Sequence, residues 1–164
     1  MSVVITGYGR SGTTALFQYF KAMGMPCDHT VEWNDELRAG FEVKVEDLPE
    51  QGDGCIVKCP GYMLHSTGLY KESGYLPKRV IFCMRNLWDS WSSRTEVNIH
   101  QFVQGPNGDQ IDITQDFDQW ALWMGIRFRT TVQLLAEHGV PMGFVWFPHF
   151  IEDSGYLIDF LTEN

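Results

Sequence analysis

Apolar and polar positions along the chain predict short strands that alternate with helices. Near-continuous apolar runs, each of the length of a buried strand, occur at residues 2–6, 54–58, 78–84 and 142–147. Helical segments are expected at residues 15–23, 89–99, 114–138 and 153–161. Strands and helices in alternation predict an α/β fold, with a mainly parallel sheet between two layers of helices.

The segment 114–138 carries the clearest helical pattern, with Thr114 as its expected N-cap and Gly139 as its stop. Its apolar stripe repeats at three- and four-residue steps and comprises Phe117, Trp120, Ala121, Met124, Phe128, Thr131, Val132 and Leu135. We expect this stripe to pack into the core rather than to line a cofactor site.

Two polar segments, at residues 27–54 and 103–113, show no periodic pattern. The first is acidic and longer than most connections in compact domains, which is typical of a functional or mobile segment. The second contains the sequence GPNGD, which is typical of a surface loop.

Composition narrows the class of partner. The 164 residues, 44% of them hydrophobic, suffice for a core, and we expect a single domain over residues 1–164. The formal net charge of −9 disfavours nucleic acid and anionic membrane surfaces, because the long-range field repels them. Neither a signal-peptide pattern nor an apolar run of about 18 residues occurs, so we expect a cytoplasmic protein.

The four cysteines lie in or beside apolar strands and form no CxxC pair; they are Cys27, Cys55, Cys59 and Cys83. We therefore expect free thiols rather than disulfides or zinc ligands, and we expect no metal cofactor.

Residues 7–14, with the sequence GYGRSGTT, form the most informative segment of the chain. They follow a strand and precede a helix, so their glycines let the backbone approach an anion at the helix N-terminus. The spacing matches a nucleotide-binding P-loop, except that Thr13 stands where a lysine would contact the β- and γ-phosphates. The cation of this loop is instead Arg10. The pattern favours a nucleotide site and disfavours triphosphate hydrolysis.

Two further cations come at the ends of predicted strands, since Lys58 closes the second and Arg85 follows the third. The carboxyl ends of parallel strands meet at one edge of a sheet, so we expect both side chains to converge with Arg10. Three of only twelve Lys and Arg residues at one edge favour a ligand with several phosphate-like groups.

These segments resemble motifs of the sulfotransferases that use 3′-phosphoadenosine 5′-phosphosulfate. Residues 9–14, GRSGTT, are similar to the family's 5′-phosphosulfate loop. Residues 85–93, RNLWDSWSS, resemble its 3′-phosphate motif, with Arg85 and Ser93 in the two ligand positions and Leu87 in place of the usual proline. Residues 58–60 and 147–161 are similar to two less specific segments of the family. The chain is short for a member.

The resemblance implies an enzyme with a P-loop-like strand, loop and helix. It would move a sulfuryl group from that nucleotide to a hydroxyl or amine of a small-molecule or polymer acceptor, without a metal ion. Arg10 and Lys58 would be catalytic, because positive charge stabilises the departing group. The nucleotide-binding residues implied are Gly9, Arg10, Ser11, Gly12, Thr13, Thr14, Arg85 and Ser93. The segments 27–54 and 95–113 would select the acceptor.

The resemblance also suggests a catalytic base. Glu32 falls near the position of the glutamate in the tyrosylprotein branch of the family, and we expect it to accept the proton. His29, three residues away, is the second candidate because imidazole titrates near neutrality. Another branch uses a histidine two residues after the lysine, where this chain has Pro60, and His65 beyond it stays a third candidate.

Two other functions fit a nucleotide site. One is a P-loop kinase of a small metabolite, and the other is a nucleotide-binding module without turnover. Thr13 in the lysine position disfavours the kinase, as does Arg85 where a magnesium-binding aspartate would follow the third strand.

Overall fold

The structure, a computed structural model, describes residues 2–28, 42–51, 54–104 and 109–163. The strands, in chain order, are β1 (Val3–Gly7), β2 (Ile56–Lys58), β3 (Arg79–Met84), β4 (Phe102–Gln104), β5 (Gln110–Asp112) and β6 (Met142–Trp146). A parallel sheet of β1, β2, β3 and β6 forms the centre, and β4 pairs with β5 in a two-stranded antiparallel ribbon. The predicted α/β class with a mainly parallel sheet is confirmed.

The helices are α1 (Thr13–Ala22), α2 (Tyr62–Ser73), α3 (Leu87–Glu96), α4 (Phe117–Glu137), α5 (His149–Glu152) and α6 (Ser154–Glu163). Within the described residues, none of them is both long enough and apolar enough to cross a membrane.

Buried side chains form one cluster on each face of the sheet, because successive residues of a strand point to opposite faces. On one face, α1, α5 and α6 pack Phe17, Phe150 and Leu157 against Ile5 and Val145. On the other face, α2 and α4 supply Met63, Leu69, Trp120, Met124 and Leu135, which pack with Val4, Val57, Val80 and Phe82. Helices therefore cover both faces, which is compatible with the predicted three layers.

The order of the central strands is β2-β1-β3-β6. Val4 of β1 lies opposite Val57 of β2 on one side and opposite Val80 of β3 on the other. After β1 the chain forms β2 on one side of that strand, and β3 then pairs with its other side. The carboxyl end of β1 is therefore a topological switch point. Open α/β sheets bind ligands in the crevice at such points.

Helix α2 was not anticipated from the sequence. Its buried positions are Tyr62, Met63, Ser66 and Leu69, so a polar serine interrupts the apolar face. Gly68 further weakens the helical pattern.

The predicted N-cap of α4 is wrong. Thr114 lies in a 3-10 turn, Ile113–Gln115, where its buried hydroxyl bonds to the carboxylate of Asp112. The N-cap is Asp116, whose carboxylate accepts a hydrogen bond of 3.1 Å from the backbone N–H of Gln119. The expected stripe of α4 does pack against the core, with Trp120, Met124, Thr131 and Leu135 buried.

Other boundaries also differ from the prediction by one to three residues, and helix α3 ends at Glu96 rather than near residue 99. The segment 103–113 contains strand residues of the β4–β5 ribbon at both of its ends. Helix α3 begins at Leu87, two residues earlier than expected, because Asn86 is a strong N-cap whose side chain accepts from the N–H groups of Trp88 and Asp89.

Candidate functional site

The loop between β1 and α1, residues 8–12, contains three residues with left-handed backbone. Gly9, Arg10 and Gly12 have φ values of 72°, 59° and 90°. Gly12 is the N-cap of α1 and therefore gives the first N–H groups of the helix no side-chain cap. A Cβ at Gly12 would also overlap the ring of Phe147, so only glycine fits this turn. The loop therefore sets the positive end of α1 beside the switch point.

Arg10 connects the β1–α1 loop to α3. Its Nε donates a hydrogen bond of 3.1 Å to the hydroxyl of Ser93, 83 residues further along the chain. Arg85, just after β3, donates from Nη1 to the backbone carbonyl of Arg10 at 3.0 Å. The Arg85 guanidinium also lies 5.0 Å from the centre of the Phe147 ring, which is within cation–π distance. The segments 7–14 and 85–93 therefore meet in space.

Lys58, at the end of β2, is almost fully buried, with 1% of its side chain exposed. Its Nζ lies 2.9 Å from Oε1 of Glu42, which is about half exposed. Burial lowers the pKa of Lys58, and the charge of Arg10 lowers it further, whereas Glu42 opposes both effects. Because the charge of Arg10 affects the pKa of Lys58, the two predicted catalytic cations are close enough to interact electrostatically.

Arg94 is a fourth cation of this site, and the sequence did not indicate it. Its Nη1 packs against the loop so closely that a Cβ at Gly9 would lie 2.6 Å from it. Burial lowers the pKa of Arg94, and the charge of Arg10 adds to that effect. A signal was present in the chain, because Arg94 directly follows Ser93 on a helix that starts at the switch point.

The hydroxyls of the loop differ in accessibility. Ser11 is fully buried, and its Oγ has no hydrogen-bond partner among the described residues. Thr13 is 4% exposed, whereas Thr14 is half-buried. Of these three residues, Thr14 is therefore the most accessible to a ligand.

The two leading candidates for the base, Glu32 and His29, lie outside the described residues. His65 on α2 lines a cavity of about 660 Å³, together with Glu46 and Arg127. Partial burial and the charge of Arg127 lower the pKa of His65, and Glu46 opposes them. These two effects favour the neutral form of the imidazole.

The cavity lies beside the carboxyl end of β2. Glu42, the partner of Lys58, lines it, and so do residues 59–61, which directly follow Lys58 in the chain. The remaining walls come from α2, from the 3-10 turn Val45–Glu50 and from Arg127 of α4. A small molecule in the cavity would thus lie next to the strand end that carries Lys58.

Comparison with known proteins gives no match of any kind: no family model, no curated protein and no solved structure matches this chain.

Arg10, Lys58, Arg85 and Arg94 form a positive cluster, named the cation cluster below, on a protein of net charge −9. Three of its members are guanidiniums, which bind phosphate and sulfate oxygens through two parallel hydrogen bonds. Helix α1 adds its positive end. Such an arrangement is chemically suited to tetrahedral oxyanions at the β1–α1 loop.

Proposed function

We propose that this protein transfers a sulfuryl group from 3′-phosphoadenosine 5′-phosphosulfate to a hydroxyl or amine of an acceptor. The observation that carries the proposal is the hydrogen bond of 3.1 Å between Arg10 and Ser93. It joins the segment that resembles a 5′-phosphosulfate loop to the segment that resembles a 3′-phosphate motif. A nucleotide with anionic groups at both positions suits this pair of neighbouring sites.

The proposed roles follow the geometry. The β1–α1 loop and the first turn of α1 would hold the 5′-phosphosulfate through Arg10, Thr14 and backbone N–H groups. Arg85 and Ser93 would hold the 3′-phosphate. In the bound state Arg10 and Arg85 would exchange the bonds to Ser93 and to the Arg10 carbonyl for bonds to the nucleotide.

Sulfuryl transfer needs positioning and charge stabilisation. The acceptor oxygen or nitrogen bonds to sulfur while the bond from sulfur to the phosphate oxygen breaks, and that electron pair stays on the departing phosphate. Arg10 and Lys58 stabilise the negative charge that grows there. The acceptor proton passes to a base, for which we retain Glu32 first and His29 second. The acceptor itself would enter from the cavity beside Glu42, where His65 is the third candidate.

The nucleotide preference provides the test of this proposal. Isothermal calorimetry should show that adenosine 3′,5′-bisphosphate binds about thirtyfold more tightly than AMP, because only the bisphosphate gives Arg85 and Ser93 a charged partner. The Ser93→Ala variant should lose much of this preference. The neighbouring Ser92→Ala variant removes an equivalent hydroxyl from the same helix and should keep it.

Equal affinities for the bisphosphate and AMP would remove the sulfotransferase proposal. Tighter binding of ATP than of either would favour the alternative, a kinase of a small metabolite. The protein could also bind the bisphosphate tightly and yet transfer no label from the donor to any hydroxyl or amine acceptor. This result would favour the other alternative, a nucleotide-binding module without turnover.

A further inference from the structure

Arg94 makes an unusual set of contacts for a partly buried arginine. It lies in the last turn of α3, and its Nη1 packs against Gly9 of the β1–α1 loop. Its Nε is buried and has no hydrogen-bond partner in the part of the chain that the structure describes. Among the same residues, no carboxylate forms an ion pair with Arg94. Glu42 is near enough to raise the pKa of Arg94, but its carboxylate is bound to Lys58.

Burying the Arg94 guanidinium in this way costs free energy when no ligand is bound. Removing a guanidinium from water costs free energy unless its N–H groups are bonded, and the nearby positive charge of Arg10 adds repulsion. The lowered pKa of Arg94 has the same two causes. An anion bound between Arg10 and Arg94 would supply the missing acceptor and would cancel the repulsion.

We propose that Arg94 is a second guanidinium ligand, beside Arg10, for the 5′ phosphate or phosphosulfate group held at the β1–α1 loop. The 5′ group is favoured over the 3′ group because Arg94 touches Gly9 of that loop. The 3′ position already has Arg85 and Ser93. Two guanidiniums on one tetrahedral group provide enough donors to bind two of its oxygens in the paired geometry that arginine prefers. The identity of the nucleotide rests on the proposed function, but the anion site does not.

The experiment compares Arg94→Met with wild type and with Arg129→Met. Methionine keeps an unbranched apolar stem and removes the charge. Arg129 is exposed on α4, so the control makes the same substitution away from the loop. The ligands are adenosine 3′,5′-bisphosphate, 5′-AMP, adenosine 3′-monophosphate and inorganic phosphate, each measured by calorimetry. Thermal unfolding of each protein without ligand is measured in parallel.

Arg94→Met should lower the affinity for the bisphosphate and for 5′-AMP about tenfold or more, which is the usual effect of losing a charge-assisted bond. The affinity for adenosine 3′-monophosphate should change by less than about twofold, since this nucleotide lacks the 5′ group. The melting temperature without ligand should stay the same or rise, because an unpaired partly buried charge has been removed. Arg129→Met should change none of these affinities.

Unchanged binding of 5′-AMP by Arg94→Met would overturn the proposal. Equal weakening of the 5′ and 3′ monophosphates, with a lower melting temperature, would also overturn it by making Arg94 a structural residue. If wild type binds phosphate and Arg94→Met does not, while the bisphosphate shows no advantage over AMP, the anion site stands and the sulfotransferase proposal fails. Wild type that binds none of the four ligands would overturn both.

Discussion

At the scale of single residues, Arg10 combines an unfavourable backbone with a directed side chain. Its φ of 59° lies in the left-handed region, where a residue with a Cβ loses about 1–2 kcal/mol relative to ordinary backbone. The same conformation carries the guanidinium across to Ser93 of α3. Backbone strain of this kind is retained where the surrounding contacts impose it, and often at functional sites.

We predict that Arg10→Gly is more stable than Arg10→Ala by roughly 0.5–1 kcal/mol, because glycine adopts the left-handed backbone without strain. Urea denaturation of the two variants measures the difference directly. The matched control is the pair Arg129→Gly and Arg129→Ala in α4, where helical backbone should reverse the order by about 1 kcal/mol. The same order at both positions would show that the turn at Arg10 is not strained.

The sequence indicated some residues of the candidate site and missed others for a physical reason. Arg10 and Arg85 could be proposed because loop spacing and position after a strand specify where they lie, and Ser93 because the segment 85–93 resembles a 3′-phosphate motif. Arg94 and Glu42 were missed. Each is identified by a tertiary neighbour, Gly9 for Arg94 and Lys58 for Glu42. Adjacency to Ser93 was a signal for Arg94, but it does not specify the contact with Gly9.

At the scale of elements, a buried polar bridge joins α2 to α4, the two helices beneath the cavity. The hydroxyls of Ser66 and Thr131 lie 2.8 Å apart, and Thr131 donates to the backbone carbonyl of Met63 at 2.8 Å. Both side chains are at most 2% exposed. The bridge therefore satisfies polar groups that would otherwise be costly inside the core.

We predict that Thr131→Val destabilises the protein by about 1–3 kcal/mol, because the isosteric valine leaves the Ser66 hydroxyl without its partner. Chemical denaturation provides the measurement. Thr130→Val, at the adjacent exposed position, should change stability by less than about 0.5 kcal/mol. Adding Ser66→Ala to Thr131→Val should cost less than the sum of the single changes. Additive costs would mean that the bridge contributes nothing.

The same bridge explains why the sequence predicted α4 but not α2. In α4 the apolar stripe is long, and one buried threonine does not disturb its period. In α2 a buried serine takes a core position, and Gly68 lies within the helix, so tertiary packing against α4 rather than local propensity stabilises the segment. The four central strands were predicted because parallel strands buried on both faces read as continuous apolar runs.

At the scale of the whole molecule, the site is assembled from four separated parts of the chain. The β1–α1 loop, the end of β2, the end of β3 and helix α3 contribute Arg10, Lys58, Arg85 and Ser93 respectively. Like charges brought together by folding repel one another, although Glu42 offsets the charge of Lys58. An anion that binds this site only in the folded state adds a favourable interaction there, which couples ligand binding to global stability.

We therefore predict that adenosine 3′,5′-bisphosphate at a hundred times its dissociation constant stabilises the protein by about 2.7 kcal/mol. For a chain of this length, the melting temperature should rise by roughly 5–10 °C. Differential scanning calorimetry measures the shift. AMP at the same concentration should give a much smaller shift, and Ser93→Ala should reduce the difference between the two nucleotides. Inorganic phosphate at matched ionic strength tests for a general salt effect. If phosphate reproduced the full shift, the stabilisation would come from anions in general, and the separate 3′ subsite would have no thermodynamic support.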